Sequence, residues 1–423
     1  MLDIQLFRDN PDLVREALSK RHQETESVDR VIEMDLQRRN LIQQVEGLRA
    51  EKNQASKEIS KTKDSVQREN KIAAMRDLGD KLDSLENELK EIEPALQTLL
   101  GAFPNLPDDR VPVGADDSEN QVIRTVGEIP EFGFSPQAHW DLGPALGIMD
   151  FERGVKLSGT RFYVLNGAGA RLERALVSFM LDTLTGRGYQ ERYTPFMVKE
   201  EVVYASGQLP KFGDNLYHDL EEDFWWVPTA EVPLTSLHKD EILEESELPI
   251  SYTAYTPCFR REKISAGREV RGIKRGHQFD KVEMYVYCRP EDSEDQFNRI
   301  LADAEHICQL LNLPYRVSNQ CTGDLAFPAA YTSDIEVWAA GCKEWLEVSS
   351  VSNTRDFQAR RAAIRYYPEE SKNTRFVHTL NGSGLGLPRV MIAVLENNQR
   401  EDGSVVIPEV LLPWMGGIEV IEA

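Results

Sequence analysis

The chain has 423 residues, 41% hydrophobic and 28% charged, which leaves room for one large domain and a smaller appendage and is too apolar for a disordered chain. Against 49 Lys and Arg stand 71 Asp and Glu, and a net charge of −22 argues against a nucleic-acid partner unless positive residues gather locally. There is no long apolar run, and the N-terminal MLDIQLFRDNPDLVREAL is acidic and amphipathic. Neither a membrane span nor a secretory signal is therefore expected.

In chain order, two heptad segments come first. Val31, Met34, Leu41, Val45, Leu48, Ala55 and Ile59 form one seam, interrupted by Arg38 and Lys52. Met75, Leu78, Leu82, Leu85, Leu89, Ile92, Leu96 and Leu99 form the other. The polar KTKDSVQREN between them reads as the connecting turn of an antiparallel hairpin, and Pro94 should kink the second helix. For a heptad hairpin alone, a dimerisation element or spacer is the simplest reading. Charge placement adds a second: around the tip stand Arg49, Lys52, Lys57, Lys61, Lys63, Arg68, Lys71 and Arg76, against Glu51, Glu58, Asp64 and Glu69. A basic tip on an acidic chain suits a phosphate backbone.

After Leu100, AFPNLPDDRVPVGADDSEN reads as a linker, giving an N-terminal domain at 1–103, a linker at 104–121 and a larger domain at 122–423. Beyond residue 122, strand-like runs (RFYVL, KVEMYVY, IEVWAA, EWLEVSS) mix irregularly with helices such as ARLERALVSFMLDTLTGRG. That pattern predicts an α+β fold with an antiparallel sheet flanked by helices, behind an N-terminal two-helix coiled coil. Neither a Rossmann nor a P-loop glycine motif is present. Cys258, Cys288, Cys308, Cys321 and Cys342 include no C-x-x-C pair, which fits free thiols in a reducing cytoplasm better than disulfides or zinc.

Four segments carry chemistry. FRREKISAGREVRGIKRGHQFDKVEMY holds Arg260, Arg261, Lys263, Arg268, Arg271, Lys274 and Arg275 between two strand-like runs, and arginine fits phosphate oxygens through paired hydrogen bonds. A solvated basic hairpin is the plain alternative. NGSGLGLPRVMIAVLEN reads as a glycine-rich turn running into an apolar helix, its glycines permitting close approach to a ligand, with Arg389 at the helix start. VPTAEVPLT sets Glu231 between two prolines. EWLEVSSVSNTRDFQARR offers Glu347 and Ser350 as a carboxylate and hydroxyl pair for Mg²⁺. Each alone is more readily structural than functional.

Together, and in this order, they resemble a known family. The segments around 259 and 381 are similar to motifs 2 and 3 of class II aminoacyl-tRNA synthetases, and GRGYQERYTPFMV with Pro195 resembles motif 1. TAE at 229–231, R-G-x-x-R-x-H-Q-F-D-K-V-E ending at Glu283, and N-G-S-G at 381–384 resemble the seryl-tRNA synthetases of bacterial type, over essentially the whole chain. The resemblance implies a cytoplasmic homodimer, paired through motif 1. It would activate serine with ATP to seryl-adenylate and pyrophosphate, then charge tRNA(Ser) and tRNA(Sec).

By the same resemblance, Arg260 and Arg389 are the catalytic pair, Arg260 on the α-phosphate and serine carboxylate, Arg389 near the γ-phosphate and adenine. Phe279 would stack on adenine opposite Arg389, and Glu262 would read its amino group. Arg261, Val348 and Ser349 would complete the ATP site, and Glu347 and Ser350 would hold Mg²⁺. Thr229, Ala230, Glu231, Glu283 and Ser383 would line the serine pocket. The helical arm and the loop from Lys263 to Lys274 would contact tRNA. His277 is the nearest general-base candidate, but a neutral histidine organising its strand is the better reading. A phosphate oxygen of the adenylate would then take the proton.

Three positions depart from the family pattern. Glu269 stands where Asp is expected. Val351 stands where cysteine is common. Pro388 should restrict Leu387 away from helical angles and shift Arg389. Two rival functions remain open at this level. A paralogue loading an amino acid onto a carrier protein would lack the long arm at 27–100. A non-catalytic binding protein would not need Arg260, Glu262, Glu283, Glu347 and Arg389 intact.

Overall fold

The heptad segments become two long helices because their apolar stripes have each other to bury against. The computed structural model describes residues 1–263 and 271–422. It divides into two units, Leu2–Phe103 and, together with Met1, Pro104 onward. In the smaller unit, two short helices, α1 (Ile4–Asp9) and α2 (Pro11–Lys20), precede α3 (Glu26–Lys61) and α4 (Ser65–Gly101). Asn10 caps α2, with Pro11 in the first turn, where a missing N–H costs nothing.

The pairs Arg38–Glu93 and Arg49–Glu86 join α3 to α4, at 3.1 and 2.8 Å, and Lys71 reaches back to Glu58 at 3.1 Å. Partner numbers fall on one helix as they rise on the other, so the pair is antiparallel. Every seam residue named above is buried or half-buried. The turn is tighter than the sequence suggests. Only residues 62–64 break the helices, because Asp64 accepts from the Gln67 N–H and starts α4 there. SVQREN is polar because it lies near the tip, not because it is loop. The helix continues through Pro94. One buried polar residue of α3 lies off the seam: Asp35 is buried, and Arg8 of α1 holds it through Nε at 2.8 Å and Nη2 at 2.7 Å, with Arg39 at 3.0 Å. A buried carboxylate requires such pairing.

The larger unit is built on eight strands: β1 (Gln121–Val126), β2 (Gln190–Glu191), β3 (Ile250–Phe259), β4 (Gln278–Cys288), β5 (Tyr315–Asn319), β6 (Tyr331–Ala339), β7 (Glu344–Arg355) and β8 (His378–Gly386). Their order is β1-β5-β6-β7-β8-β4-β3-β2, antiparallel except for β2 beside β3. The helices used below are α5 (His139–Ala145), α6 (Gly167–Gly186), α7 (Glu231–Thr235), α8 (Ser293–Leu310), α9 (Phe357–Ala362) and α10 (Leu387–Asn397). The segment 104–121 is packed rather than loose. Val111 is buried, and the Asn105 amide donates to the carbonyls of Pro328 and Thr354 at 2.9 and 2.8 Å.

Alternation along β4 sorts its side chains. Val282, Met284 and Val286 enter the core with Leu176 and Met180 of α6, Ile300 and Ile307 of α8, and Val390 and Val394 of α10. Phe279, Lys281 and Glu283 take the other face, which carries the site. NGSGLGLPR is not a turn: its first part is strand β8. A Cβ on Gly382 would stand 2.8 Å from Ile300 Cγ2, and one on Gly384 2.8 Å from Leu184 Cδ1. Those glycines admit core side chains, not a ligand. Pro388 lies in the first turn of α10, where proline is tolerated, and Leu387 is helical.

Candidate active site

A cavity of about 340 Å³ opens on the sheet face opposite the helical core. Its lining includes Thr229, Glu231, Arg260, Glu262, Phe279, Glu283, Glu347, Val348, Ser350, Ser383 and Arg389, which the sequence spreads over 161 positions. Strand pairing explains the gathering at one end. Ser383 is opposite Glu283 across β8 and β4, and Asn381 is opposite Ser352 across β8 and β7.

Glu283 is fully buried, and three donors compensate it: Asn381 Nδ2 at 3.1 Å, Thr229 Oγ1 at 3.3 Å and the Lys281 ammonium. Glu231 opens α7. Its carboxylate accepts from Gln358 of α9 at 2.7 Å, while Gln358 Oε1 accepts from the Tyr285 hydroxyl at 2.9 Å and Thr379 Oγ1 at 2.8 Å. Burial and the neighbouring Glu283 push the Glu231 carboxyl up to about 7. An arriving cation therefore meets one compensated carboxylate and one poised to lose its proton.

At the other end the arginines are held by backbone carbonyls. Arg260 follows β3, donates through Nε to the Pro228 carbonyl at 3.3 Å, and lies over the Phe279 ring at 5.1 Å. Arg389, in the first turn of α10, donates to the Lys274 carbonyl at 3.3 Å and the Glu347 carbonyl at 2.9 Å. Anions also favour a helix N-terminus. Glu262 is buried in the left-handed region at φ 49°, with Arg275 at 3.2 Å. The flanking Arg261 N–H and Lys263 N–H both donate to Asn215, which pins this strained residue on either side.

Glu347 and Ser350 would face opposite ways on a regular strand. A β-bulge in β7 corrects this: Ser349 pairs with Ile335 but Glu347 pairs with Glu336, so Val348 is the extra residue. Both oxygen-bearing side chains then line the cavity, and Val348 packs into the core beneath it. Hard oxygen donors on one face fit Mg²⁺, with phosphate and water oxygens to complete the shell. Asp334, opposite Ser350, is buried, and its carboxyl is raised well above the usual range by burial and by Glu347.

Three expected site residues are not part of the lining. Ala230 is buried at the start of α7. Ser349 points the other way and donates to the Ser383 carbonyl at 2.6 Å. The Arg261 side chain lies 5.8 Å from the Tyr217 ring. His277 donates from Nδ1 to the Arg260 carbonyl at 3.1 Å and is also outside the lining, which supports an organising role. Arg268 and Glu269 lie outside the described residues. Sequence reasoning missed Lys281, Asn381, Ser352 and Gln208, all in the lining. Period-2 alternation from Phe279 through Glu283 was the signal that finds Lys281.

Two family models match the chain. The seryl-tRNA synthetase N-terminal domain covers residues 1–107, and the class II core domain for G, H, P, S and T covers 214–398. A serine–tRNA ligase of Roseiflexus sp. (strain RS-1) is 59% identical over 421 residues, 100% of this chain and 99% of that one. The seryl-tRNA synthetase of Pyrococcus horikoshii, solved with ATP, superposes with a TM-score of 0.93 at 38% identity, covering 100% and 99% of the two chains. A cytoplasmic serine–tRNA ligase of Naegleria fowleri, solved with AMP, gives 0.88 at 32%, with the same coverage. Full-length likeness at these identities, on a class II sheet and a helical hairpin, establishes that the chain belongs to the seryl-tRNA synthetase family.

Proposed function

We infer that the chain is an aminoacyl-tRNA ligase that activates serine with ATP and transfers the seryl group to tRNA(Ser), and by the same recognition to tRNA(Sec). The observation that carries this reading is one cavity with carboxylates and hydroxyls at one end and two carbonyl-braced arginines at the other. Glu231 and Glu283 receive the serine ammonium, and Thr229 and Ser383 face its polar groups. Arg260 holds the serine carboxylate against the α-phosphate, so that two anions meet in line. Phe279 and Arg389 sandwich the adenine, and Glu262 accepts from its amino group. Catalysis then rests on positioning and charge neutralisation. Glu347 and Ser350 would hold Mg²⁺, which when bound neutralises the phosphate charge that builds as pyrophosphate leaves. With His277 turned toward a backbone carbonyl, an adenylate phosphate oxygen takes the proton in the transfer step.

The hairpin is the tRNA arm in this reading. Lys57, Lys61, Lys63, Arg68 and Arg76 are exposed around its tip. Two apolar side chains of the motif 1 segment, Tyr193 and Met197, are 83% and 49% exposed, which supports a second copy of the chain covering that face in a homodimer. Five free cysteines, four of them buried, fit a reducing cytoplasm. Among the described residues, no helix is long and apolar enough to cross a membrane.

The test is serine-dependent ATP–pyrophosphate exchange followed by transfer to tRNA. Exchange and transfer together are expected. Exchange without transfer would move the reading to a carrier-protein ligase, and absence of exchange to a non-catalytic protein.

A further inference from the structure

His139, Cys342 and Glu396 bring a ring nitrogen, a thiol and a carboxylate within 4.8 Å of one another, and the composition resembles a zinc site. Hydrogen bonding accounts for these atoms instead. Glu396 Oε1 accepts from His139 N–H at 2.8 Å, His139 Nδ1 at 2.9 Å and the Cys342 thiol at 3.1 Å, and Oε2 accepts from Cys342 N–H at 2.9 Å. Because Nδ1 donates to a carboxylate, the imidazole carries its proton there and Nε2 is left as an acceptor. That acceptor takes the backbone N–H of Ile273 at 3.1 Å.

We propose that His139 is a positioning residue for the ATP site, its Nε2 anchoring residues 271–274 so that the Lys274 carbonyl holds Arg389 in place. The contact is close. Gly272 has φ 69°, and a Cβ there would stand 1.9 Å from His139 Nε2, so the ring lies directly on that backbone. Ile273 is buried in the core one residue on. Trp140, the neighbour of His139 on α5, meets the Arg271 guanidinium at 4.7 Å and the Lys274 ammonium at 5.3 Å, so the clamp engages both ends of the segment. Lys274 is further fixed by Glu344 at 2.6 Å. Its carbonyl then accepts from Arg389 Nε. The imidazole lines no part of the cavity, yet a chain of two backbone contacts joins it to a group proposed to hold ATP. Glu396, on α10 like Arg389, closes the loop by fixing the imidazole from that same helix.

The assignment to ATP rests on the ligase reading above, and the anchor itself does not. Two substitutions separate the two ring nitrogens. His139→Asn keeps a donor near Nδ1 and removes the acceptor for Ile273. His139→Gln keeps an acceptor near Nε2 and removes one of the four donors to Glu396. Hydrogen exchange of the 271–275 segment and pyrophosphate-exchange kinetics are measured on the full chain, with the melting temperature as control. Asn at 139 is expected to speed exchange of the Ile273 amide at least about tenfold and to raise KM for ATP by a similar factor, leaving KM for serine within about threefold. Gln at 139 is expected to stay near wild type in each. Equal behaviour of the two variants, or losses that only track melting temperature, would overturn the proposal. If wild-type protein shows no serine-dependent exchange, the ligase reading fails, while the amide of Ile273 still decides the anchor.

Discussion

Glu347 and Ser350 share one face of their strand although they stand three positions apart, because the bulge at Val348 inserts an extra residue between two regular pairings. If they form the Mg²⁺ pair, Glu347→Gln should raise the Mg²⁺ concentration for half-maximal pyrophosphate exchange by at least about tenfold, and Ser350→Ala by less. An Mg²⁺ titration unchanged in both variants would place the metal elsewhere.

Glu231 gives the pocket a pH dependence. With its carboxyl raised to about 7 by burial and Glu283, it holds a proton in the empty site at lower pH. A serine ammonium favours the carboxylate, so binding expels that proton. KM for serine should therefore fall about tenfold per pH unit as pH rises toward 7, and level off above it. Glu231→Gln should flatten the profile and weaken serine throughout. A profile equally steep in the variant would assign the titration to another group.

Arg260 is the residue for which positioning predicts the largest loss. Arg260→Ala should reduce serine-dependent exchange by at least about a thousandfold, because two anions lose their common partner. Near-normal activity would show that motif 2 has been misassigned.

Gly382 has no room for a methyl group: its Cβ would meet Ile300 at 2.8 Å and Val351 at 3.0 Å. Gly382→Ala should cost about 1–3 kcal/mol of stability by overpacking, measured by denaturant unfolding. An unchanged midpoint would mean that α8 yields to the extra carbon.

The arm and the site should separate experimentally. Removing residues 35–95 is expected to impair tRNA charging while leaving serine activation within about threefold of wild type, as for an independent unit whose exposed cations bind phosphate. Equal loss of both would contradict separate roles.

Much of this was legible in the sequence because strong periodicities are local. The seams of α3 and α4 and the strands through KVEMYVY and EWLEVSS needed only alternation. Legibility failed where a partner decided the outcome. NGSGLG looked like a turn until Ile300 and Leu184 were found in the space its missing side chains leave. Pro388 looked disruptive because the helix was read as starting at Arg389, whereas α10 begins two residues earlier, at Leu387. The bulge at Val348 depends on pairing with β6, which no window of β7 contains. Lys281 was readable from the alternation of Phe279 and Glu283, while the clamp of His139 on Ile273 joins residues 134 apart.

The central claim is that this cavity activates serine, and amino-acid-dependent pyrophosphate exchange compared across serine, threonine and alanine tests it most directly. Buried polar groups left unpaired by alanine should disfavour it by about 10⁴-fold or more, whereas threonine, excluded by shape, should fall only about 10–200-fold below serine. Exchange that is absent with serine, or as efficient with alanine, would contradict the account.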